Sequence, residues 1–280
     1  MDKLYLMIAT TYLFTIIGIT QEVDISHSKI NKETPAIEKC LRQYFKACDL
    51  SDPVELGTAF YPGAMMFWID KNEQMNFLTQ PQWKNMLKNN KELNTAKKRD
   101  ILLMDHTNDI CIAKVISEYH DKICYSYMAI VKATGEWRIV CQVQNCTMLT
   151  DKQLIQKSES DIKEIEGMIQ IKLKSMDSND PDLLSSVYHP RTMSYYIDNS
   201  ELVGVSIGEW IARFDFNKRT HTAIPNAERK IETIDCVGSI GYARFTHKFS
   251  NMFVTDYTLV LKIANRWRIV NLLFTVEPLE

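Results

Sequence analysis

At 280 residues, with 45% hydrophobic and 24% charged residues, the chain has the composition of an ordinary globular protein and room for one or two domains. A formal net charge of −2 gives no electrostatic footprint for nucleic acid, and the basic run Lys97-Lys98-Arg99 reads as a solvated loop. The seven cysteines, an odd number, lack the C-x-x-C spacing of a metal site.

Residues 4–19 carry no charge, a run too short for a comfortable membrane span and suited to the apolar part of a secretory signal peptide. The expectation is a signal peptide over 1–20, with a retained anchor or a buried helix as alternatives. It implies a secreted or periplasmic protein with no membrane association after processing. Residues 21–34 are polar and aperiodic and read as a flexible leader. Pro35 then opens a helix with Ile37, Cys40, Leu41, Tyr44, Phe45 and Cys48 on one face. Asp52 caps a short second helix that Pro62-Gly63 ends. Residues 64–70 and 75–78 form a hairpin, and Pro81 starts a helix carrying Trp83. Strands follow at 101–105, 110–119, 123–132 and 137–146, and a polar linker at 148–160.

The order then repeats: helix 162–176, a short helix after Asp180-Pro181, a hairpin over 193–205, and a Trp210-bearing helix at 209–214. Strands follow at 230–235, 239–249, 253–263 and 266–276. Trp137-Arg138-Ile139-Val140 returns as Trp267-Arg268-Ile269-Val270. Tyr127 and Asp105 return 130 residues later as Tyr257 and Asp235. Phe67-Trp68-Ile69-Asp70 is answered 128 residues later by Tyr195-Tyr196-Ile197-Asp198, and Trp83 by Trp210 after 127. A near-constant offset with small shifts is what loop insertions leave in a duplicated unit.

The expected fold class is therefore α+β: two tandem cone-shaped domains, 35–147 and 161–277. Each is a strongly bent antiparallel sheet with three helices on one face. Such a cone encloses a natural apolar pocket. In the last strand, Trp267, Ile269 and Leu273 are expected on one face and Val270, Leu272 and Phe274 on the other. A strand apolar on both faces is covered on both, so the units should pack through the sheet faces opposite their pockets.

Cys111, Cys124 and Cys141 fall in apolar strand-like runs, so most cysteines are expected to be buried and unpaired. Cys141 with Cys146 is the one local bridge to consider. Asn145-Cys146-Thr147 is a formal glycosylation acceptor.

A resemblance rests on Asp52-Pro53 and Asp180-Pro181 after the first helix of each copy, on Tyr61-Pro62 and His189-Pro190, and on Asp256-Tyr257 with Arg266-Trp267-Arg268-Ile269-Val270-Asn271. Each half resembles the nuclear transport factor 2-like superfamily, and within it the group of putative lumazine-binding or polyketide-cyclase-like domains. The resemblance spans residues 35–145 and 160–276 and implies the cone fold. Because the superfamily includes isomerases, dehydratases, cyclases and transport adaptors, it does not fix a function.

Tyr44 lies eight residues before Asp52, where the resemblance to the superfamily's steroid isomerases implies a catalytic tyrosine; copy two has Lys172 there. The implied base positions hold Ile69 and Ile197, with Asp70 and Asp198 one residue away in probable turns. His189 is read as ending a helix, where a cation interacts well with the dipole. Tyr44, Trp68, Tyr127, Tyr196 and Tyr257 are the pocket candidates; Tyr44, Asp70 and His189 are the candidates for catalysis. No nucleophile elbow, phosphate loop or metal motif is present, and no cofactor is expected. The expected function is an exported tandem small-molecule-binding or scaffolding protein without catalysis, its partner a small hydrophobic or aromatic molecule. The alternative is an isomerase, cyclase or dehydratase acting in the cone.

Overall fold

The computed structural model describes residues 26–70, 72–89, 95–150 and 158–279. The expected signal peptide and the middle of the linker lie outside the described residues. Thr34–Glu280 form one compact unit.

The first copy opens with α1 (Ser26–Asp49). Pro35 lies inside this helix rather than at its start, so residues 26–34 are helical and not an irregular leader. An internal proline removes one backbone hydrogen bond, which a helix of 24 residues can lose without ending. Next come α2 (Pro53–Ala59), β1 (Phe60–Ile69), β2 (Met75–Thr79) and α3 (Gln80–Asn89). Four strands complete the copy: β3 (Lys98–Thr107), β4 (Ile110–Glu118), β5 (Lys122–Ala133) and β6 (Glu136–Met148). Copy two repeats the order with α4 (Glu159–Ser178), α5 (Pro181–Val187), β7 (Tyr188–Asp198), β8 (Glu201–Ser206) and α6 (Ile207–Arg219). It closes with β9 (Glu228–Val237), β10 (Ile240–Lys248), β11 (Met252–Ile263) and β12 (Arg266–Pro278).

Local chemistry sets the same boundaries twice. Asp52 and Asp180 cap α2 and α5 by accepting from the two backbone N–H groups at N2 and N3, with Pro53 and Pro181 at the first helical position. Both short helices end where β1 and β7 begin, so Pro62 and Pro190 lie inside strands. Pairing with β6 and β12 shifts register at these points, and an irregularity tolerates a residue with no N–H to donate. His189 consequently sits on β7 rather than at a helix end.

Each sheet has six strands, ordered β2-β1-β6-β5-β4-β3 and β8-β7-β12-β11-β10-β9. The long strands form an antiparallel meander, but β1–β6 and β7–β12 are parallel. One face of each sheet packs on its helices, giving two separate cores. Leu41, Leu56, Phe60, Trp83 and Ile139 belong to the first; Ile169, Leu184, Phe214, Phe245 and Ile269 belong to the second. The opposite faces share a third core containing Phe67, Ile112, Tyr127 and Val143 together with Tyr242, Tyr257, Leu259 and Leu273.

Reciprocal hydrogen bonds cross this interface. Lys114 Nζ and Tyr127 OH donate to Asp235 Oδ2 at 2.6 and 2.7 Å, while Arg244 NH1 and Tyr257 OH donate to Asp105 Oδ1 at 3.0 and 2.7 Å. The same three residue positions of each copy therefore serve the other copy, the pattern of an isologous contact.

The alternation expected for the last strand is broken. Trp267 and Ile269 join the helix-side core, whereas both Val270 and Leu273 join the shared core. The pairing of β11 with β12 shifts between Leu259 and Val260, and one extra residue reverses the faces beyond it. Cys124, opposite Cys146 in the β5–β6 ladder, forms a disulfide with it. Cys141 is free and buried, as are Cys40, Cys48, Cys111 and Cys236. Asn145 Nδ2 donates to Ser239 Oγ across the interface at 2.9 Å, which ties down the formal glycosylation acceptor.

Candidate functional site

The helix side of each sheet carries a buried core in both copies. In copy one aromatic rings pack together there. Tyr44, Phe60 and Trp83 are buried and meet edge to face, with ring centroids 5.1 to 5.8 Å apart. The Tyr44 hydroxyl takes a hydrogen bond from Gln142 Nε2 at 3.3 Å, and Gln142 also donates to Ser126 Oγ at 3.0 Å. Burial pushes the Tyr44 phenol well above its usual range.

Arg99 lies beneath this group. It belongs to β3 and not to a loop: its side chain is only 4% exposed and binds Asp49, Ser117 and Tyr119. The neighbouring lysines reach solvent, but strand alternation turns Arg99 inward.

Copy two has ionisable residues at three of the matching positions. Lys172 stands where copy one has Tyr44, His247 where it has Ser117, and Asp256 where it has Ser126. Lys172 Nζ donates to Asp256 Oδ2 at 2.6 Å and lies 3.9 Å from the centroid of the Phe245 ring. His247 Nε2 meets the same Oδ2 at 3.2 Å, and His247 Nδ1 meets Arg229 NH1 at 2.6 Å. A guanidinium can only donate, so Nδ1 is the acceptor and Nε2 carries the proton given to Asp256. Arg229 is anchored in turn on Asp177 at 2.7 Å. Lys172, His247 and Asp256 are all buried. Burial alone would raise the Asp256 carboxyl; Lys172 and His247 outweigh it and hold Asp256 at about 2. Burial pulls the Lys172 ammonium down, against the pull of Asp256 upward.

Phe274, the ladder partner of Asp256 on β12, belongs to a half-buried aromatic group. Tyr196 stacks on Phe274 at 4.9 Å, and Trp210 meets Phe274 edge-on at 6.3 Å. Trp210 Nε1 donates to Ser194 Oγ at 3.0 Å, and Arg213 lies 5.1 Å from the Trp210 ring centroid.

The candidates from sequence are distributed among different places. Trp68 packs on the helix-side core of copy one, and Tyr196 occupies the corresponding position of copy two. Tyr127 and Tyr257 lie on the opposite sheet face, in the core shared by the two copies, and their hydroxyls bind carboxylates of the other copy. They do not line a cone. Asp70 is a turn residue whose Oδ1 accepts from the backbone N–H groups of Asn72 and Gln74. His189 Nδ1 accepts from Arg191 N–H at 3.2 Å, and its pKa is lowered by burial first and then by Arg191 and Arg268. Tyr44, Asp70 and His189 therefore form no common site. Lys172, His247 and Asp256, absent from the candidate set, are joined by direct hydrogen bonds. Among the described residues, no group of three or more His, Cys, Asp or Glu is arranged to hold a metal.

No curated protein matches the chain. Among solved structures, an NTF2-like protein of unknown function from Methylobacillus flagellatus KT is 24% identical. The match covers 44% of this chain and 97% of that one with a TM-score of 0.38. A second, from Silicibacter pomeroyi DSS-3, is 18% identical over 42% of this chain and 97% of its own, with a TM-score of 0.37. A third, from Shewanella baltica OS155, is 19% identical over 42% and 97%, with a TM-score of 0.36. The model of the family described as "Putative lumazine-binding" matches twice, over residues 32–144 and 160–275. The chain belongs to that family and carries its domain as a tandem pair.

Proposed function

We propose that this chain is an exported small-molecule-binding protein without catalytic activity, and that its ligand enters the second cone. The family description supports a small-molecule-binding domain. The observation that carries the choice of cone is the difference between the copies. Tyr44, Phe60 and Trp83 close the first cone by packing on one another, whereas Trp210, Tyr196 and Phe274 are half-buried around the second. Aromatic faces over a concave apolar site suit a flat ligand, held by burial of area and by ring stacking.

Export is supported by the uncharged run at residues 4–19 and by the Cys124–Cys146 disulfide, a bond that persists in oxidising compartments. The absence of catalysis is supported by the separation of Tyr44, Asp70 and His189. It is also supported by Asp256, whose low pKa makes it a poor base at neutral pH.

Titration with a flat aromatic probe tests the reading. Quenching of tryptophan fluorescence is expected, and Trp210→Phe should remove most of it while Trp83→Phe leaves it in place. Quenching that follows Trp83 instead would sink the assignment. Turnover of an enolisable ketone, abolished by Asp256→Asn, would favour the isomerase, cyclase or dehydratase reading instead.

A further inference from the structure

We propose that the contact between Arg229 and His247 is an acid-sensitive latch, and that a proton on His247 releases the outer strand β9 from α4. Each copy ties its outer strand to its first helix with the same clamp. In copy one, Arg99 on β3 donates from Nε to Asp49 Oδ1 at the end of α1, at 3.1 Å, and from NH1 to Ser117 Oγ on β4, at 2.8 Å. In copy two, Arg229 on β9 donates from Nε to Asp177 Oδ1 in the last turn of α4, at 2.8 Å, and its NH1 meets His247 Nδ1 on β10 at 2.6 Å. A ring stands at the matching place beside each arginine, with Tyr119 at 5.5 Å and Phe249 at 5.9 Å to the centroid. β3 and β9 lie at the edges of their sheets, so each is held by a ladder on one side only.

The two clamps differ in the acceptor. The Ser117 hydroxyl accepts from a guanidinium at any ordinary pH. An imidazole nitrogen accepts only while unprotonated, and a guanidinium can only donate. Both ring nitrogens of His247 are committed, Nδ1 to Arg229 and Nε2–H to Asp256. A proton added to the ring must go to Nδ1, where it sets an N–H and a positive charge against a donor 2.6 Å away.

The charged groups packed around the ring do not relieve this conflict. Asp256 on β11 attracts an imidazolium, but it faces Nε2, holds that hydrogen bond already and is shared with Lys172 of α4. Asp177 binds Nε and NH2 of Arg229, away from NH1. Tyr188 of β7, kept neutral by burial, adds no charge. The side chains of His247 and Arg229 are only 1% and 8% exposed, so water screens the repulsion poorly. Relief comes when Arg229 swings outward with Asp177, whose side chain is 56% exposed. The released state accepts the proton and the latched state does not, so acid favours release. An imidazole ordinarily titrates near pH ~6.5, whereas Asp256 is held at about 2 and stays ionised there. The latch is independent of which cone binds a ligand.

Hydrogen exchange on the full chain tests it, comparing the start of β9 with the start of β3 at about pH 7.5 and about pH 5.5 after correction for intrinsic rates. A single-proton linkage allows at most about a hundredfold change over about two pH units. Exchange at the start of β9 should rise by at least about tenfold in acid, and at the start of β3 by less than about twofold. His247→Ser installs the acceptor that copy one already uses; it should keep β9 protected and abolish its response to acid. No response at β9, an equal response at both edges, or a response that survives His247→Ser would overturn the proposal. Should that variant fail to fold, the ring ¹⁵N shifts of the wild-type chain decide. Nδ1 should be unprotonated at about pH 7.5 and gain its proton over the interval in which β9 loses protection. A proton already on Nδ1 at about pH 7.5, or opening of β9 without titration of the ring, would contradict the latch.

Discussion

Asp256 shows how one inward position separates two copies of the same fold. Its carboxyl is held near 2, below its ordinary 3.8, by Lys172 and His247, so it binds its proton less readily folded than unfolded. Stability from this group is complete above about pH 4 and is lost as pH falls toward 2. Urea denaturation across that interval should show a decline that is weaker in the Lys172→Tyr/Asp256→Ser variant. Equal slopes would mean that other carboxylates dominate acid unfolding. Lys172→Met alone should cost about 3–5 kcal/mol, because it leaves a buried anion uncompensated. Much of this was visible in the repeat. Lys172, His247 and Asp256 replace Tyr44, Ser117 and Ser126 in register, three changes to ionisable residue types at matched positions. The inward direction of those positions was not visible. Residue type does not reveal which face of an apolar strand is which, and Tyr127 and Tyr257 were assigned to cones for that reason.

At the scale of elements, the order and type of almost every helix and strand could be read from caps, turns and periodicity, whereas faces and bridges could not. Asp52-Pro53 and Asp180-Pro181 dictate their helices locally. The register shift in β12 has no local signature, and it sends Val270 and Leu273 to the same core. The disulfide was hidden for a similar reason. Cys124 and Cys146 are 22 residues apart in sequence and become neighbours only through the exact ladder of β5 on β6. Thiol titration of the denatured, unreduced chain should find five free groups, the buried Cys40, Cys48, Cys111, Cys141 and Cys236. Seven would show that the bridge does not form. Reducing it should cost about 3 kcal/mol if it acts by restricting the unfolded chain.

For the whole molecule, the two copies behave as a pseudo-dimer built into one chain. The repeated Tyr127/Tyr257 and Asp105/Asp235 pairs made the duplication plain, and their exchange across the interface explains why both copies keep them. Each half alone would expose the apolar face that forms the shared core. Separately produced halves should self-associate or aggregate, and well-behaved monomers on size-exclusion chromatography would contradict the interface. In copies otherwise so alike, the difference between a filled first cone and an aromatic-rimmed second one is the central claim. Native mass spectrometry of the chain purified from its own host tests it most directly. One small molecule per chain, retained after Trp83→Phe and lost in a Tyr196→Ala/Trp210→Ala variant, is the predicted result. Two per chain, or one that survives the loss of Tyr196 and Trp210, would contradict it.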